Sequence, residues 1–143
     1  MGRIIGVDYG SKRIGLAVTD PLKMFASPLT TVSPSEFDNF IKDYLKESEI
    51  EAFVIGYPVK MNNEPGETVN FVNLFIKKLK KTYPEKRIYL EDERFTSQMA
   101  LRIIVDGGVK KMNRRDKSIV DKISASIILQ SFLDKRTSKR ENI

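Results

Sequence analysis

Residues 3–19 read RIIGVDYGSKRIGLAVT. Arg3 to Asp8 and Arg13 to Thr19 are short β-rich runs, and the link Tyr9-Gly10-Ser11-Lys12 supplies a glycine for a turn, so the chain opens as a β-hairpin. Two nucleotide-binding readings fail here. Gly10 and Gly15 have the two-glycine spacing of a P-loop, but Leu16-Ala17 stands where Lys and Ser or Thr are required. Gly6, Gly10 and Gly15 likewise miss the G-x-G-x-x-G spacing of a dinucleotide fold.

Outward from the hairpin, a third strand is expected within Phe25 to Val32. Ser33-Pro34-Ser35-Glu36 then offers an N-cap, a proline at the first helical position and a capping-box Glu. In the helix that follows, Phe37, Phe40, Ile41, Tyr44 and Leu45 fall on one stripe. Ala52 to Ile55 reads as a buried strand, and Glu67 to Thr82 as a helix with Val69, Val72, Ile76 and Leu79 inward. Ile88 to Leu90 is a fifth strand, and Thr96 to Asp106 and Ser118 to Leu133 are helices on either side of a basic loop led by Gly107-Gly108. Hairpins first and βαβ crossovers afterwards predict an α/β fold, a mixed sheet covered by helices. Residues 1–134 are expected to form one domain, with 135–143 a basic, disordered tail.

The chain has 143 residues, 25 Lys and Arg against 19 Asp and Glu, and neither Cys nor His. That composition excludes thiol nucleophiles, Ser-His-Asp triads, thiolate or imidazole zinc sites and disulfides. Any metal must bind through oxygen, which favours Mg²⁺ or Mn²⁺. No apolar run approaches the length of a membrane span and the N-terminus lacks a signal-peptide pattern, so the expected location is cytoplasmic. The net charge of +6 is regional. Its dense stretches are Lys77 to Arg87, then Lys110, Lys111, Arg114, Arg115 and Lys117, then the tail. The first reads as a solvated helix face, the second as a contact to nucleic-acid phosphates.

The acids stand out by position. Asp8 ends an apolar strand, where it is either a turn residue or a metal ligand. Glu91, Asp92 and Glu93 crowd the end of the fifth strand; a bound cation would resolve their repulsion, as would Arg94 and nearby Lys in an exposed loop. Alternation puts Glu91 and Glu93 on one side and Asp92 on the other. Asp121 lies within about 40° of Ala125, Ile128 and Phe132 around its helix, so it points along the apolar stripe, although Ser118-x-x-Asp121 also fits a cap. Three carboxylates without His or Cys suit a two-metal phosphoryl-transfer site.

The stretches GVDYGSKRIGLAVTD, VIGYPVKMNNEPGE, EDERFTS and DKISASIIL, in this order, resemble the bacterial YqgF family, described as Holliday junction resolvases and pre-16S rRNA nucleases. The resemblance covers nearly the whole chain. It implies a ribonuclease H-like fold, a five-stranded mixed sheet of order 3-2-1-4-5 with the second strand antiparallel. It also implies that Asp8, Glu93 and Asp121 are the catalytic, metal-holding acids. The sequence departs from the family pattern at Tyr57, at Asn62-Asn63 and at the additional acid Glu91; the first two bear on substrate preference.

The expected activity is hydrolysis of phosphodiesters in structured RNA, precursor 16S rRNA first, by a Mg²⁺- or Mn²⁺-dependent nuclease acting as a monomer or homodimer. Branched DNA is the alternative substrate, and a non-catalytic nucleic-acid-binding assembly factor the alternative class. Lys12, Arg13 and Arg94 are the first candidates for phosphate contacts, with Lys110, Lys111, Arg114, Arg115 and Lys117 gripping the backbone.

Overall fold

A computed structural model describes residues 2–58, 67–92 and 117–141, with side chains over 2–58, 69–92 and 118–136. Glu93, Arg94, the expected helix Thr96 to Asp106, and Lys110, Lys111, Arg114 and Arg115 lie outside the described residues, as does the Lys117 side chain. The strands are β1 (Arg3–Tyr9), β2 (Ile14–Thr19), β3 (Ala26–Val32), β4 (Ile50–Tyr57) and β5 (Arg87–Asp92). The helices described are α1 (Phe37–Glu47), α2 (Glu67–Thr82) and α3 (Lys117–Glu141). The sheet order is β3-β2-β1-β4-β5, and β2 alone runs against its neighbours. This is the ribonuclease H-like arrangement that the resemblance implies.

Alternation along the hairpin sorts its residues by size. Ile5 and Val7 of β1, with Ile14, Leu16 and Val18 of β2, face one side, where Phe37 and Ile41 of α1 and Val72, Ile76 and Leu79 of α2 cover them. Ile4 and Ala17 face the other side, under Ala125, Ile128, Leu129 and Leu133 of α3. β4 lies between covered faces, so Ala52, Phe53, Val54 and Ile55 are all buried.

The α3 side is lined by small residues, and that sets how close the helix comes. A Cβ on Gly6 would stand 2.8 Å from Leu129 Cβ and 2.9 Å from the Ala125 carbonyl oxygen. One on Gly15 would stand 2.1 Å from the Asp121 carbonyl oxygen. Only glycine lets the α3 backbone rest on β1 and β2 at these points.

One expectation is corrected. The capping box does not form: Glu36 is the N-cap of α1 and makes no side-chain cap bond. The chain turns first, Glu36 N–H donating to the Ser33 carbonyl at 3.0 Å, with the Ser33 and Ser35 hydroxyls 3.1 Å apart. Ser118 lies in the first turn of α3, which is described from Lys117. α3 continues past Asp134 to Glu141, and Lys135 within it pairs with Glu91 of β5.

Candidate active site

Asp8 sits near the carboxyl end of β1 and pairs across the hairpin with Gly15, which in turn pairs with Thr31 of β3. The row Asp8, Gly15, Thr31 thus has a notch at its centre, where the α3 backbone enters. Thr31 fixes that approach: its hydroxyl donates to the Ser118 carbonyl at 2.6 Å, while the Asp121 carbonyl lies over Gly15. One turn of helix anchored in this way brings the Asp121 carboxylate to the side of the sheet that carries Asp8. The two acids line one cleft of about 210 Å³ together with Tyr9, Gly10, Ser11, Lys12 and Arg13.

The cleft holds both signs of charge. Arg13 Nε donates to Asp121 Oδ2 at 2.7 Å, with 40% of the Arg13 side chain and 22% of the Asp121 side chain exposed. Lys12 is exposed at the rim. A pair of strand-end and helix-start carboxylates beside two cations can hold a hard cation through oxygen and meet an anionic phosphate from the same opening. Among the described residues no three acids gather, and Glu93 lies outside them.

The acid cluster of β5 is partly explained without a cation. Glu91 is 6% exposed and accepts hydrogen bonds from Ser131 Oγ at 3.1 Å and Lys135 Nζ at 2.5 Å, both on α3. The Glu91 carboxylate holds the Lys135 ammonium above the usual lysine range, first through this hydrogen bond and then through its charge. The contact identifies the Glu91 side of β5 as the α3 side, which alternation alone left open. In the Lys77 to Arg87 stretch, Lys78 pairs with Asp38 at 3.5 Å and Lys86 donates to the Ile50 carbonyl at 2.7 Å. Those two lysines serve the fold.

Two features of the site escaped the sequence reading. Arg13 was expected at phosphate, not at Asp121. Thr31 carried no expectation at all, and its only signal is its place opposite Gly15 in the β2–β3 register. The departure at Tyr57 also has a structural consequence, because its hydroxyl donates to Asn73 Oδ1 of α2 at 3.0 Å.

Comparison with known proteins agrees with this architecture. The family model for RuvX, described as Holliday junction resolvase, matches residues 2–135. A Porphyromonas gingivalis protein with the provisional name of pre-16S rRNA nuclease is 50% identical over 134 residues, 94% of this chain and 97% of that one. Among solved structures, Thermus thermophilus RuvC in complex with Holliday junction substrate superposes with a TM-score of 0.55 at 18% identity, covering 96% of each chain. The fowlpox virus resolvase, in complex with substrate Holliday junction DNA, gives 0.57 at 10% identity, covering 93% of this chain and 97% of its own. The two structures support the fold, and the family model with the half-identical relative supports the lineage: this chain belongs to the RuvX family.

Proposed function

We propose that this protein is a divalent-metal-dependent nuclease that hydrolyses phosphodiester bonds in structured nucleic acid, with precursor 16S rRNA as the leading substrate. The observation that carries the reading is the convergence of Asp8 and Asp121 on one cleft beside Lys12 and Arg13. The name borne by half-identical relatives supports the RNA substrate. The family description favours branched DNA as the second reading. The reading carries the cytoplasm with it as the compartment; among the described residues no helix is long and apolar enough to cross a membrane.

The residues suit Mg²⁺ or Mn²⁺. Their donors are carboxylate oxygens, and a cationic group already lies against one of them, the Arg13 guanidinium on Asp121. Asp8 and Asp121 would hold the ion, with Glu93 as the third acid. When bound, such ions supply Lewis acidity toward the phosphoryl group and an activated water. The protein's own part is orientation. Lys12 and Arg13 meet the phosphate at the cleft, Arg94 adds a further contact, and Lys110, Lys111, Arg114, Arg115 and Lys117 grip the backbone without reading sequence. Phosphate contacts of this kind make affinity fall with salt, by roughly 0.7 to 0.9 in the slope of log K against log salt for each contact.

The test is cleavage of a precursor 16S rRNA fragment and a matched four-way DNA junction by purified protein in Mg²⁺, Mn²⁺, Ca²⁺ and excess EDTA. Cleavage of the RNA in Mg²⁺ or Mn²⁺, and its absence in Ca²⁺ and EDTA, is expected. Cleavage restricted to the junction transfers the assignment to branched DNA, and binding of both without cleavage identifies an assembly factor.

A further inference from the structure

The Arg13–Asp121 pair places a guanidinium against a carboxylate that a metal ion would need. Asp121 Oδ2 is 2.7 Å from Arg13 Nε, in the cleft that also contains Asp8. A divalent ion on Asp121 and a guanidinium at hydrogen-bond distance from the same oxygen repel each other, so the two cations compete for one ligand. Arg13 has another destination. It belongs to the turn that forms the cleft wall, its side chain is partly solvent-exposed, and a guanidinium matches phosphate geometry with two parallel donors. An ammonium has no such fork, so a lysine here would balance the Asp121 charge without presenting two parallel donors to phosphate.

We propose that Arg13 is a positioning residue with two partners: it neutralises and holds Asp121 in the metal-free protein, and it transfers to substrate phosphate as the metal enters. Nucleic acid then withdraws the competing cation from Asp121, and metal withdraws the competing anion from Arg13. Each therefore strengthens the binding of the other by the same factor, as linkage requires. The inference rests on the metal-site reading above. Its consequence is a site that stays charge-balanced without ligands and takes up metal and substrate together.

The test uses binding alone. Mn²⁺ affinity is measured without nucleic acid, by electron paramagnetic resonance of free Mn²⁺, for the wild type, Arg13→Gln, Arg13→Lys, Asp8→Asn and Asp121→Asn. Removing a partly exposed counter-ion should tighten Mn²⁺ binding about two- to fivefold in Arg13→Gln, and Arg13→Lys should stay near the wild type. Affinity for a four-way DNA junction is then measured in EDTA and in Ca²⁺. In EDTA, Arg13→Gln should bind within about twofold of the wild type, because Arg13 is held by Asp121; in Ca²⁺ it should bind several-fold more weakly. Unchanged or weaker Mn²⁺ binding by Arg13→Gln overturns the proposal, as does an equal loss of junction affinity in both media. If Asp8→Asn and Asp121→Asn leave Mn²⁺ affinity intact, the metal-site reading itself fails and the exchange goes with it. If those two lose Mn²⁺ and Arg13→Gln gains nothing, the exchange alone is wrong. Thermal unfolding of each variant confirms that the comparison is made between folded proteins.

Discussion

Among the described residues helix α3 makes two acid–base contacts, one with the β1–β2 turn and one with β5, and they are built differently. At its start, Asp121 meets Arg13 in an open cleft, and both side chains keep substantial exposure. Ten residues further on, Ser131 and then Lys135 meet Glu91, which is buried, while most of the lysine side chain is in solvent. The same pairing of opposite charges has opposite consequences. The buried carboxylate has two donors from one helix and is not among the residues lining the cleft, so it fastens α3 to β5. The open pair can separate without burying a charge, because water replaces what either partner loses. Both acids stand out in the sequence by position, and burial separates them: Glu91 is closed in against α3, whereas Asp121 opens on the cleft.

Removing Asp8 should give the largest functional effect. Asp8→Asn should lower metal-dependent cleavage at least about 100-fold, beyond the 10- to 100-fold typical of losing a supporting partner of a metal ligand. Nucleic-acid binding should hold or tighten, since one negative charge leaves the phosphate site. Gel-based cleavage and anisotropy on the same substrate separate the two effects. A variant cleaving at the wild-type rate removes Asp8 from the chemistry.

Gly15→Ala attacks the notch on which the open end depends. The new Cβ would meet the Asp121 carbonyl oxygen and carbon, both backbone atoms. Overpacking of this kind costs roughly 1–3 kcal/mol. Denaturant unfolding should therefore show a loss near the top of that range, together with impaired cleavage, because α3 must lift and take Asp121 with it. Wild-type stability in Gly15→Ala would mean that α3 does not rest on the sheet at this point.

Lys135→Met tests the closed end. It leaves Glu91 buried with only Ser131 as the partner shown on α3, and should lower stability by about 1–2 kcal/mol, less than a fully buried pair would lose, because the lysine is largely solvated. Cleavage by the remaining folded protein should be unchanged.

The smallest effect is one of pH. The lysine has a higher pKa in the folded state than in the unfolded chain, so the pair's contribution is complete below the unfolded value and disappears as pH rises through the folded one. Stability curves of the wild type and Lys135→Met should run parallel at neutral pH and converge above about pH 10.5. Curves that remain parallel through that range would show that the ammonium contributes nothing by its charge.

Much of the fold was legible because it is written in short-range periodicity. The apolar spacing of α2 marks Glu67 to Thr82, the bounds found, and the stripe from Phe37 to Leu45 does pack on the sheet. Alternation in the hairpin sorts the two faces. The helix angle that set Asp121 over Ala125 and Ile128 also holds, since both are buried against the sheet. What stayed hidden is long-range. Arg13 and Asp121 are 108 residues apart, and Glu91 and Lys135 are 44 apart, distances at which no local pattern speaks. Lys135 therefore looked like the start of a loose basic tail. The capping box failed for the converse reason: Ser33 to Glu36 fits a local signature, but the same serine carbonyl closes a turn instead. Gly15 was readable in part. Its place opposite Asp8 follows from the hairpin, and Gly6 and Ala17 near it mark a face too shallow for large side chains.

The most direct measurement compares Asp121→Asn with Glu91→Gln, in stability and in Mn²⁺-dependent cleavage, at a temperature where both variants are folded. Asp121→Asn should unfold near the wild-type midpoint and cleave at least about 100-fold more slowly, while Glu91→Gln should melt earlier and cleave close to the wild-type rate. A Glu91→Gln protein that is folded yet as inactive as Asp121→Asn would contradict the division of α3 into a catalytic end and an anchoring end.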